Sequence, residues 1–246
     1  MSGAVAALPD EDVAPDLHSA TERYAARFAG PVGAWMLEVQ AGAVLGFASR
    51  WPGGTVLDVG GGHAQVAGPL AEAGHRVTVH ASAEPGLARV RAMAPAVATV
   101  TGPLDALPLP DRSVDIVCAL RMMAHVPDWE AFVAECCRVA RHAVIIDFAV
   151  AGGANALQPI MFAVKKRIEG NTRRFTTQSK SALEKAFRAS GFSVSGMTGQ
   201  FVMPMVVHRK LNRPGLSQKL EGGCAALGLD RWLGTPVILC ATRESA

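Results

Sequence analysis

The length and composition of the chain favour one large folded domain. Its 246 residues are half apolar and carry a net charge of only +3, whereas disordered chains are poor in apolar residues and highly charged. The most apolar stretch, residues 143–164, is interrupted by Asp147, so no membrane-spanning helix is expected. The acidic N-terminus is unlike a signal or transit peptide. The five cysteines contain no C-x-x-C pair, so we expect free thiols and a cytoplasmic protein.

The N-terminal part predicts a tail followed by helices. Residues 1–16 are rich in Ala, Asp and Pro, which is typical of a mobile tail. Between residues 17 and 50, Tyr24, Phe28 and Val32 recur at helical spacing, and Gly30-Pro31 predicts a break between two helices. This segment is predicted to form a helical cap.

Strands and helices then alternate along the chain. The predicted strands are 55–59, 76–81, 97–101, 113–120 and 142–148, and the predicted helices between them are 64–73, 84–93 and 128–140. This alternation predicts an α/β core at 55–148, with a parallel sheet covered on both faces.

The C-terminal part is less regular. We predict a helix at 154–169, and a capping box at Ser181 and Glu184 that opens a second helix ending at Gly191. A strand-like segment at 192–207 and a final strand at 236–242 complete the sheet. The whole prediction is one doubly wound domain (17–246) with a seven-stranded, mostly parallel sheet and a C-terminal insert at 154–213.

A glycine-rich turn follows the first predicted strand and reads Asp58-Val59-Gly60-Gly61-Gly62-His63. Glycines let the backbone approach a ligand closely, and the following helix offers free N–H groups. A nicotinamide dinucleotide fingerprint is not met, because Gln65 stands where its third glycine belongs. A P-loop is not met either, since no Gly-Lys-Ser/Thr follows.

This turn resembles the first motif of the class I S-adenosylmethionine-dependent methyltransferases, an acidic residue and one spacer before glycines. Residues 107–117 resemble the family's approach to its fourth strand, and residues 121–140 resemble the segment and helix that follow that strand. The flanks, at Tyr24 to Pro31, Glu169 to Phe175 and His208-Arg209, resemble a bacterial subgroup that acts on small molecules. The resemblance implies a Rossmann-like fold and S-adenosylmethionine as the cofactor.

The resemblance implies a set of cofactor contacts. Asp58 would bond the cofactor's amino group, or alternatively only fix the loop, and the backbone at Gly60–His63 would lie against the methionine part. Arg27 is the candidate for the carboxylate, because a guanidinium binds a carboxylate through two bonds; the alternative is a solvated helix charge. The cofactor candidates are Tyr24, Arg27, Asp58, Gly60, Gly61, Gly62, His63, His80, Ala81, Leu104, Asp105 and Arg121.

The chain departs from the family pattern at the cofactor's nucleoside. His80 ends the second strand, where the family has an acidic residue for the ribose hydroxyls, and an imidazole bonds a hydroxyl less strongly than a carboxylate does. Pro103 stands at the family's adenine position, with Asp105 two residues further on. An alternative function is therefore a repurposed relative that binds the cofactor, or a related nucleoside, without methylating.

Methyl transfer requires positioning and, for a protonated acceptor, a base. His125 follows the fourth strand, where open α/β folds place ligands, and is the first candidate base; the alternative is a backbone contact near Asp128. His208 is the second candidate. No His, Cys or Asp set has the spacing of zinc ligands, so no metal is predicted.

The charge distribution suggests the acceptor. Residues 1–150 hold 10 Lys and Arg against 16 Asp and Glu, whereas residues 151–246 hold 14 against 5. A basic C-terminal part favours an anionic small-molecule acceptor, or simply reflects solvated helix faces. A nucleic-acid partner is not expected from this modest charge. The candidate acceptor-binding residues are Trp35, Asn171, Arg173, Arg174 and Arg209. The sequence does not indicate an oligomeric state.

Overall fold

A computed structural model of the chain describes residues 14–150 and 176–244. A seven-stranded sheet with the order β3-β2-β1-β4-β5-β7-β6 forms its centre. The strands are β1 (Thr55–Val59), β2 (Arg76–Ala81), β3 (Ala98–Thr101), β4 (Val114–Ala119), β5 (Ala140–Phe148), β6 (Phe192–Phe201) and β7 (Thr235–Arg243).

The first five strands are parallel, and β7 pairs antiparallel with both β5 and β6. Strands β1 and β4 are mostly apolar and buried because helices cover both of their faces, and each contains one acid, Asp58 and Asp115. The prediction of a seven-stranded, mostly parallel, doubly wound sheet is confirmed.

Helices cover the two faces of this sheet in separate groups. On one face α3 and α4 pack against the sheet in a cluster that includes Val44 of α3, and on the other α6 and α7 pack against it through Phe132 and Phe187. The α-helices are α1 (Pro15–Ser19), α2 (Glu22–Ala25), α3 (Gly30–Ala48), α4 (Ala67–Glu72), α5 (Ala88–Met93), α6 (Trp129–Val139), α7 (Lys180–Ala189), α8 (Met205–Leu211), α9 (Pro214–Ala226) and α10 (Asp230–Leu233).

Three predicted boundaries are corrected. Residues 14–16, which the predicted tail included, are part of the folded structure, because Ala14 and Asp16 are buried. Helix α7 is capped by Ser179, whose hydroxyl accepts a hydrogen bond from the Ala182 N–H, so the capping box predicted at Ser181 is wrong. The strand predicted at 192–207 ends at Phe201, since Pro204 precedes α8 and lacks the N–H that a strand would need. The helix predicted at 154–169 lies outside the described residues.

Several connections meet at the carboxyl edge of the parallel strands. Strand β7 begins there, because Val237 pairs with Phe148 near the end of β5, and Phe201 at the end of β6 pairs with Thr235. The connector from residue 202 to 234, which contains α8, α9 and α10, therefore lies at the edge where open α/β sheets bind ligands. Within the described ranges, no helix is long and apolar enough to cross a membrane.

Candidate functional site

Asp58 is a buried carboxylate near the end of β1. Only 2% of the residue is exposed. Burial raises the pKa of Asp58 to about 7, because the charged form loses its hydration, and the positive charge of Arg121 only partly offsets this rise. A carboxyl group with this pKa gains or loses its proton near neutral pH, and a cationic ligand would favour its charged form.

Arg121 lies in the turn after β4 and connects several polar groups. Its backbone N–H donates to Asp147 on β5, and its guanidinium donates to the Gln40 side chain on α3, 3.0 Å away. The guanidinium also lies 5.2 Å from the centre of the Phe28 ring. Arg121 has a φ of 60°, a conformation that is uncommon for a residue other than glycine and that is found at functional sites.

Asp147 is the second buried acid of this group. It is 4% exposed, and burial raises its pKa to about 6, although the Arg121 N–H and the Arg121 charge both act to lower it. Strands β1, β4 and β5 are neighbours in the sheet, so their ends bring Asp58, Arg121 and Asp147 to one place. The arrangement holds one cation near two carboxyl groups in a region with little water.

The glycine-rich turn provides a backbone cradle beside Asp58. A Cβ atom on Gly61 would lie 2.0 Å from a carboxylate oxygen of Asp58, and one on Gly62 would lie 2.2 Å from the Gly86 carbonyl oxygen. Gly60 has a φ of 73°, and a Cβ there would lie 2.5 Å from the sulfur of Met122. Side chains are therefore excluded at these positions, because neighbouring protein atoms occupy the space that a Cβ would need.

A small cavity lies against this cradle. It is lined by Asp58, Gly60, Gly61, His63 and Arg121, together with Tyr24, Gln65, Val66, Leu120 and Met122. The Tyr24 ring stacks on His63, with 5.8 Å between the ring centres. The free space is about 10 Å³, which is room for about one water molecule. In this conformation, Tyr24 and its neighbours therefore almost fill the cavity.

A larger cavity of about 340 Å³ lies beyond the ends of β2 and β3. Its lining residues come from α1 and from the segments after these strands: Ala14, Leu17, Ser82, Ala83, Thr101, Gly102 and Pro103. Asp16 on α1 is 2% exposed and accepts hydrogen bonds from both the backbone N–H (2.7 Å) and the hydroxyl of Ser82. These bonds hold α1 against the end of β2 and place a carboxylate next to this cavity.

His80 is fully buried at the end of β2. Its Nε2 lies 2.9 Å from the carbonyl oxygen of Gly102, and its Nδ1 has no hydrogen-bond partner among the described residues. Burial lowers the pKa of His80, while nearby Asp16 and the Gly102 carbonyl act to raise it. A neutral ring that donates from Nε2 to Gly102 leaves Nδ1 as an acceptor for a hydroxyl donor.

Four other cofactor candidates lie outside the lining of both cavities. Arg27 is exposed, and its guanidinium sits 5.2 Å from the centre of the Tyr24 ring. Asp105 is exposed, whereas Ala81 and Leu104 are buried in the apolar core. The structure therefore brings together Tyr24, Asp58, Gly60, Gly61, His63 and Arg121, with Gly62 beside them.

His208, the second candidate base, is buried among side chains of the helices and strand around it. It is fully buried, and its Nε2 lies 2.8 Å from a carboxylate oxygen of Glu221 on α9. Trp35 meets its ring edge-on at 5.3 Å and also packs on Phe201. Neither His208 nor Trp35 lines either cavity, so the structure does not bring them together with the other candidate residues.

The remaining candidates have different positions. His125 is half-buried in the turn after β4, where its backbone N–H donates to the Met122 carbonyl oxygen at 2.8 Å. Arg209 is half-buried on α8. Asn171, Arg173 and Arg174 lie outside the described residues. Among the residues described, no group of three or more His, Cys, Asp and Glu side chains could hold a metal ion.

Sequence reasoning missed three polar residues of this region. Asp16 was assigned to the tail because its neighbours are Ala, Asp and Pro. Asp147 was read only as an interruption of an apolar stretch, although a lone acid inside a buried strand is itself a sign of a special environment. Gln40 is a buried polar residue on the inner face of α3 and gave no pattern of its own.

Comparison with known proteins supports the assignment of the core. Residues 57–146 match the methyltransferase domain family. A protein of Mycolicibacterium smegmatis, described as a probable S-adenosylmethionine-dependent methyltransferase, is 40% identical over 94 residues, which are 38% of this chain and 37% of that protein. A Mycobacterium tuberculosis protein with the same description is 37% identical over 86 residues, 35% of this chain and 31% of its own. The matched region thus spans about a third of these relatives.

Solved structures share the fold across most of the chain. Magnesium protoporphyrin IX methyltransferase from Synechocystis PCC 6803, with bound S-adenosylhomocysteine, superposes with a TM-score of 0.64 at 17% identity, covering 91% of this chain and 93% of that one. The cyclase SpnF has a TM-score of 0.56 at 18% identity, covering 84% and 80%. Residues 57–146 are thus similar to the methyltransferase domain family, and the chain shares the fold of solved methyltransferase structures.

Proposed function

We propose that this protein transfers a methyl group from S-adenosylmethionine to a small-molecule acceptor. The observation that carries the proposal is the buried carboxyl group of Asp58 beside a glycine cradle from which side chains are excluded. The ammonium group of the cofactor's amino-acid part, placed next to Asp58, would stabilise the charged form of this buried carboxyl group. The cradle would accept the rest of the cofactor's amino-acid part against the backbone.

The donor groups around the two cavities fit the two ends of this cofactor. Asp58 and the backbone of the glycine turn would hold the amino-acid end, and Arg121 would face its carboxylate. The larger cavity, bordered by Thr101 and Pro103, would accept the nucleoside. Because the smaller cavity has room for about one water molecule, Tyr24 would have to move aside when the cofactor binds.

Asp16 would take part in binding the ribose. The family's acidic residue at the end of β2 is replaced here by His80, but the Asp16 carboxylate reaches the same strand end from α1 through Ser82. The unpartnered Nδ1 of buried His80 offers a second acceptor for a hydroxyl group. Asp16 and His80 together would compensate for the missing acid. Because Asp16 belongs to α1, cofactor binding would also involve the N-terminal helix.

The cofactor supplies an activated sulfonium when it is bound, so this chain has to bind, orient and exclude water. Tyr24 and Phe28 would shield the amino-acid end from solvent. His125 would accept the proton of an oxygen or nitrogen acceptor at the carboxyl end of β4. The acceptor is proposed to be anionic because the C-terminal part is strongly basic.

A second candidate function is cofactor or nucleoside binding without methylation. The replacement of the strand-end acid by His80 motivates it, and the fold shared with the cyclase SpnF is compatible with it. The two candidates differ in one measurable property. Only a methyltransferase produces S-adenosylhomocysteine in the presence of its acceptor.

Calorimetric titration with S-adenosylmethionine, S-adenosylhomocysteine and NAD tests the proposal. We expect micromolar binding of the first two and no binding of NAD. Asp58→Asn should weaken both by about ten- to hundredfold, because a hydrogen bond to a charged group contributes about 1.5–3 kcal/mol. Asp105→Asn serves as the control and should bind like the wild type, since Asp105 is exposed and lines neither cavity. Failure of both adenosyl ligands to bind the wild type would overturn the proposed function.

Cofactor binding should depend on pH through Asp58. Because the pKa of Asp58 is about 7 in the free protein, the carboxylate must lose a proton to bind the ammonium group. Affinity should therefore rise between pH 5.5 and 7.5, by up to about tenfold per pH unit below 7, with proton release detectable in buffers of different ionisation enthalpy.

The same pKa makes a prediction for the stability of the free protein. Folding raises the pKa of Asp58 from 3.8 to about 7, so the stability it contributes is present below pH 4 and is lost as the pH rises through 7. Asp58→Asn should show a smaller loss of thermal stability between pH 5 and 8. If its affinity and stability had the same pH profiles as the wild type, Asp58 would not be the titrating group.

Asp16→Ala tests the role assigned to α1. We expect an affinity for S-adenosylhomocysteine about tenfold lower, because the carboxylate at the end of β2 is lost, with Asp105→Ala unchanged. Circular dichroism before titration establishes that both variants are folded. Equal loss in the two variants, or no loss in Asp16→Ala, would remove Asp16 from the binding site.

His125→Ala separates chemistry from binding. Turnover with an identified acceptor should fall by about a hundredfold, the typical contribution of a general base, while cofactor affinity stays within about twofold. His142→Ala is a matched control, because His142 lies near the start of β5, away from the carboxyl edge of the sheet, and stacks on Trp51. Unchanged turnover in His125→Ala would exclude His125 as the base.

A further inference from the structure

The connector between β6 and β7 carries an exposed apolar surface that the proposed reaction does not explain. Within the described residues, six of the seven exposed large apolar side chains lie between residues 206 and 233. Trp232 is 84% exposed and Leu227 77% exposed. The six members of this surface, called here the connector surface, are Val206, Leu216, Leu220, Leu227, Trp232 and Leu233.

Helix α9 is attached to the protein by one face only. Ser217 is fully buried, and Glu221 accepts hydrogen bonds from the backbone N–H groups of Val202 and Met203 and contacts His208. At about 100° per residue, Leu216, Leu220 and Leu227 fall within an arc of about 40° on a different face. This row of leucines is exposed and lies about 100° around the helix from the contacts of Ser217 and Glu221, which fix its orientation.

Cations border the row of leucines. Lys210, Arg213 and Lys219 are exposed, and none of them forms an ion pair with another described residue. The segment from 205 to 233 contains five Lys and Arg residues and only two acids, of which Glu221 is half-buried against His208. The connector surface is therefore apolar with a positively charged border.

We infer that the connector surface binds the surface of an anionic lipid bilayer. Exposed leucine and tryptophan side chains can enter the boundary between headgroups and acyl chains, while lysine and arginine attract anionic headgroups. A two-fold dimer through the same surface would bring its cationic borders towards each other and is disfavoured by like-charge repulsion.

Binding in this way would present the site to the membrane. The connector lies at the carboxyl edge of the sheet, the edge that carries Asp58 and Asp147. An acceptor dissolved in the bilayer could then reach the site without crossing bulk water. The inference concerns membrane association itself and does not require the proposed reaction to be correct.

Co-sedimentation with vesicles tests the inference. The purified chain is mixed with vesicles of phosphatidylcholine alone or of phosphatidylcholine with a quarter phosphatidylglycerol. We expect at least tenfold stronger association with the anionic vesicles, weakened by salt, and a blue shift of tryptophan fluorescence on binding. Leu227→Ser with Trp232→Ser should reduce association at least tenfold and remove most of the shift.

Two matched controls give the test its specificity. We expect at least tenfold weaker association when the cations of the connector are removed together, as Lys210→Gln, Arg213→Gln and Lys219→Gln. The matched variant removes three exposed cations of α7, as Lys180→Gln, Lys185→Gln and Arg188→Gln, and should have little effect. Met93→Ser controls for an exposed apolar residue elsewhere. Equal association of all variants, or none by the wild type, would overturn the inference.

Two further measurements separate the alternatives. A dimer in sedimentation velocity that is lost in Leu227→Ser/Trp232→Ser would identify a second copy as the occupant and would also overturn the inference. Titration with S-adenosylhomocysteine, done in parallel without vesicles, reports on the proposed function alone. Vesicle binding without cofactor binding would therefore leave the inference standing while the proposed function fails.

Discussion

The site depends on one electrostatic constraint, the burial of two carboxyl groups at the ends of neighbouring strands. Asp58 and Asp147 lose their hydration in the sheet, and burial raises both of their pKa values. The guanidinium of Arg121 lowers the energy of their charged forms without fully offsetting the cost of burial. A ligand that brings a positive charge to Asp58 would therefore favour the charged form of this carboxyl group and release its proton on binding.

This constraint extends outward through the elements that position Arg121. Its backbone is fixed by Asp147 in a left-handed conformation, and its guanidinium is held by Gln40 on α3 and covered by Phe28. The helical cap is therefore part of the electrostatics of the site as well as its cover. Movement of the cap would alter solvation of the acids, so cofactor entry and the protonation of Asp58 are expected to be coupled.

The sequence predicted the sheet and the glycine turn because both depend on local patterns. Apolar runs along the sequence predict strands. Position 61 requires glycine, because a Cβ atom there would lie 2.0 Å from a carboxylate oxygen of Asp58. The contacts of Asp16, Gln40 and His208 depend on which segments meet in three dimensions, and no spacing along the chain records that. His208 resembled a base by residue type, but its environment of Trp35, Phe201 and Glu221 was decided by how α8 and α9 pack.

The proposed roles divide between the core that matches known methyltransferases and the segments that flank it. The match to known methyltransferases covers residues 57–146, which include Asp58, the glycine turn and Arg121. The groups that adapt this core lie outside that region: Asp16 reaches the end of β2 from α1, Gln40 reaches Arg121 from α3, and the connector surface follows β6. On the proposed function, the core shared with known methyltransferases would hold the cofactor, while the flanking segments would compensate for His80 and, on our inference, attach the protein to a membrane. Because those segments meet the core at its carboxyl edge, changes in them can alter binding without disturbing the sheet.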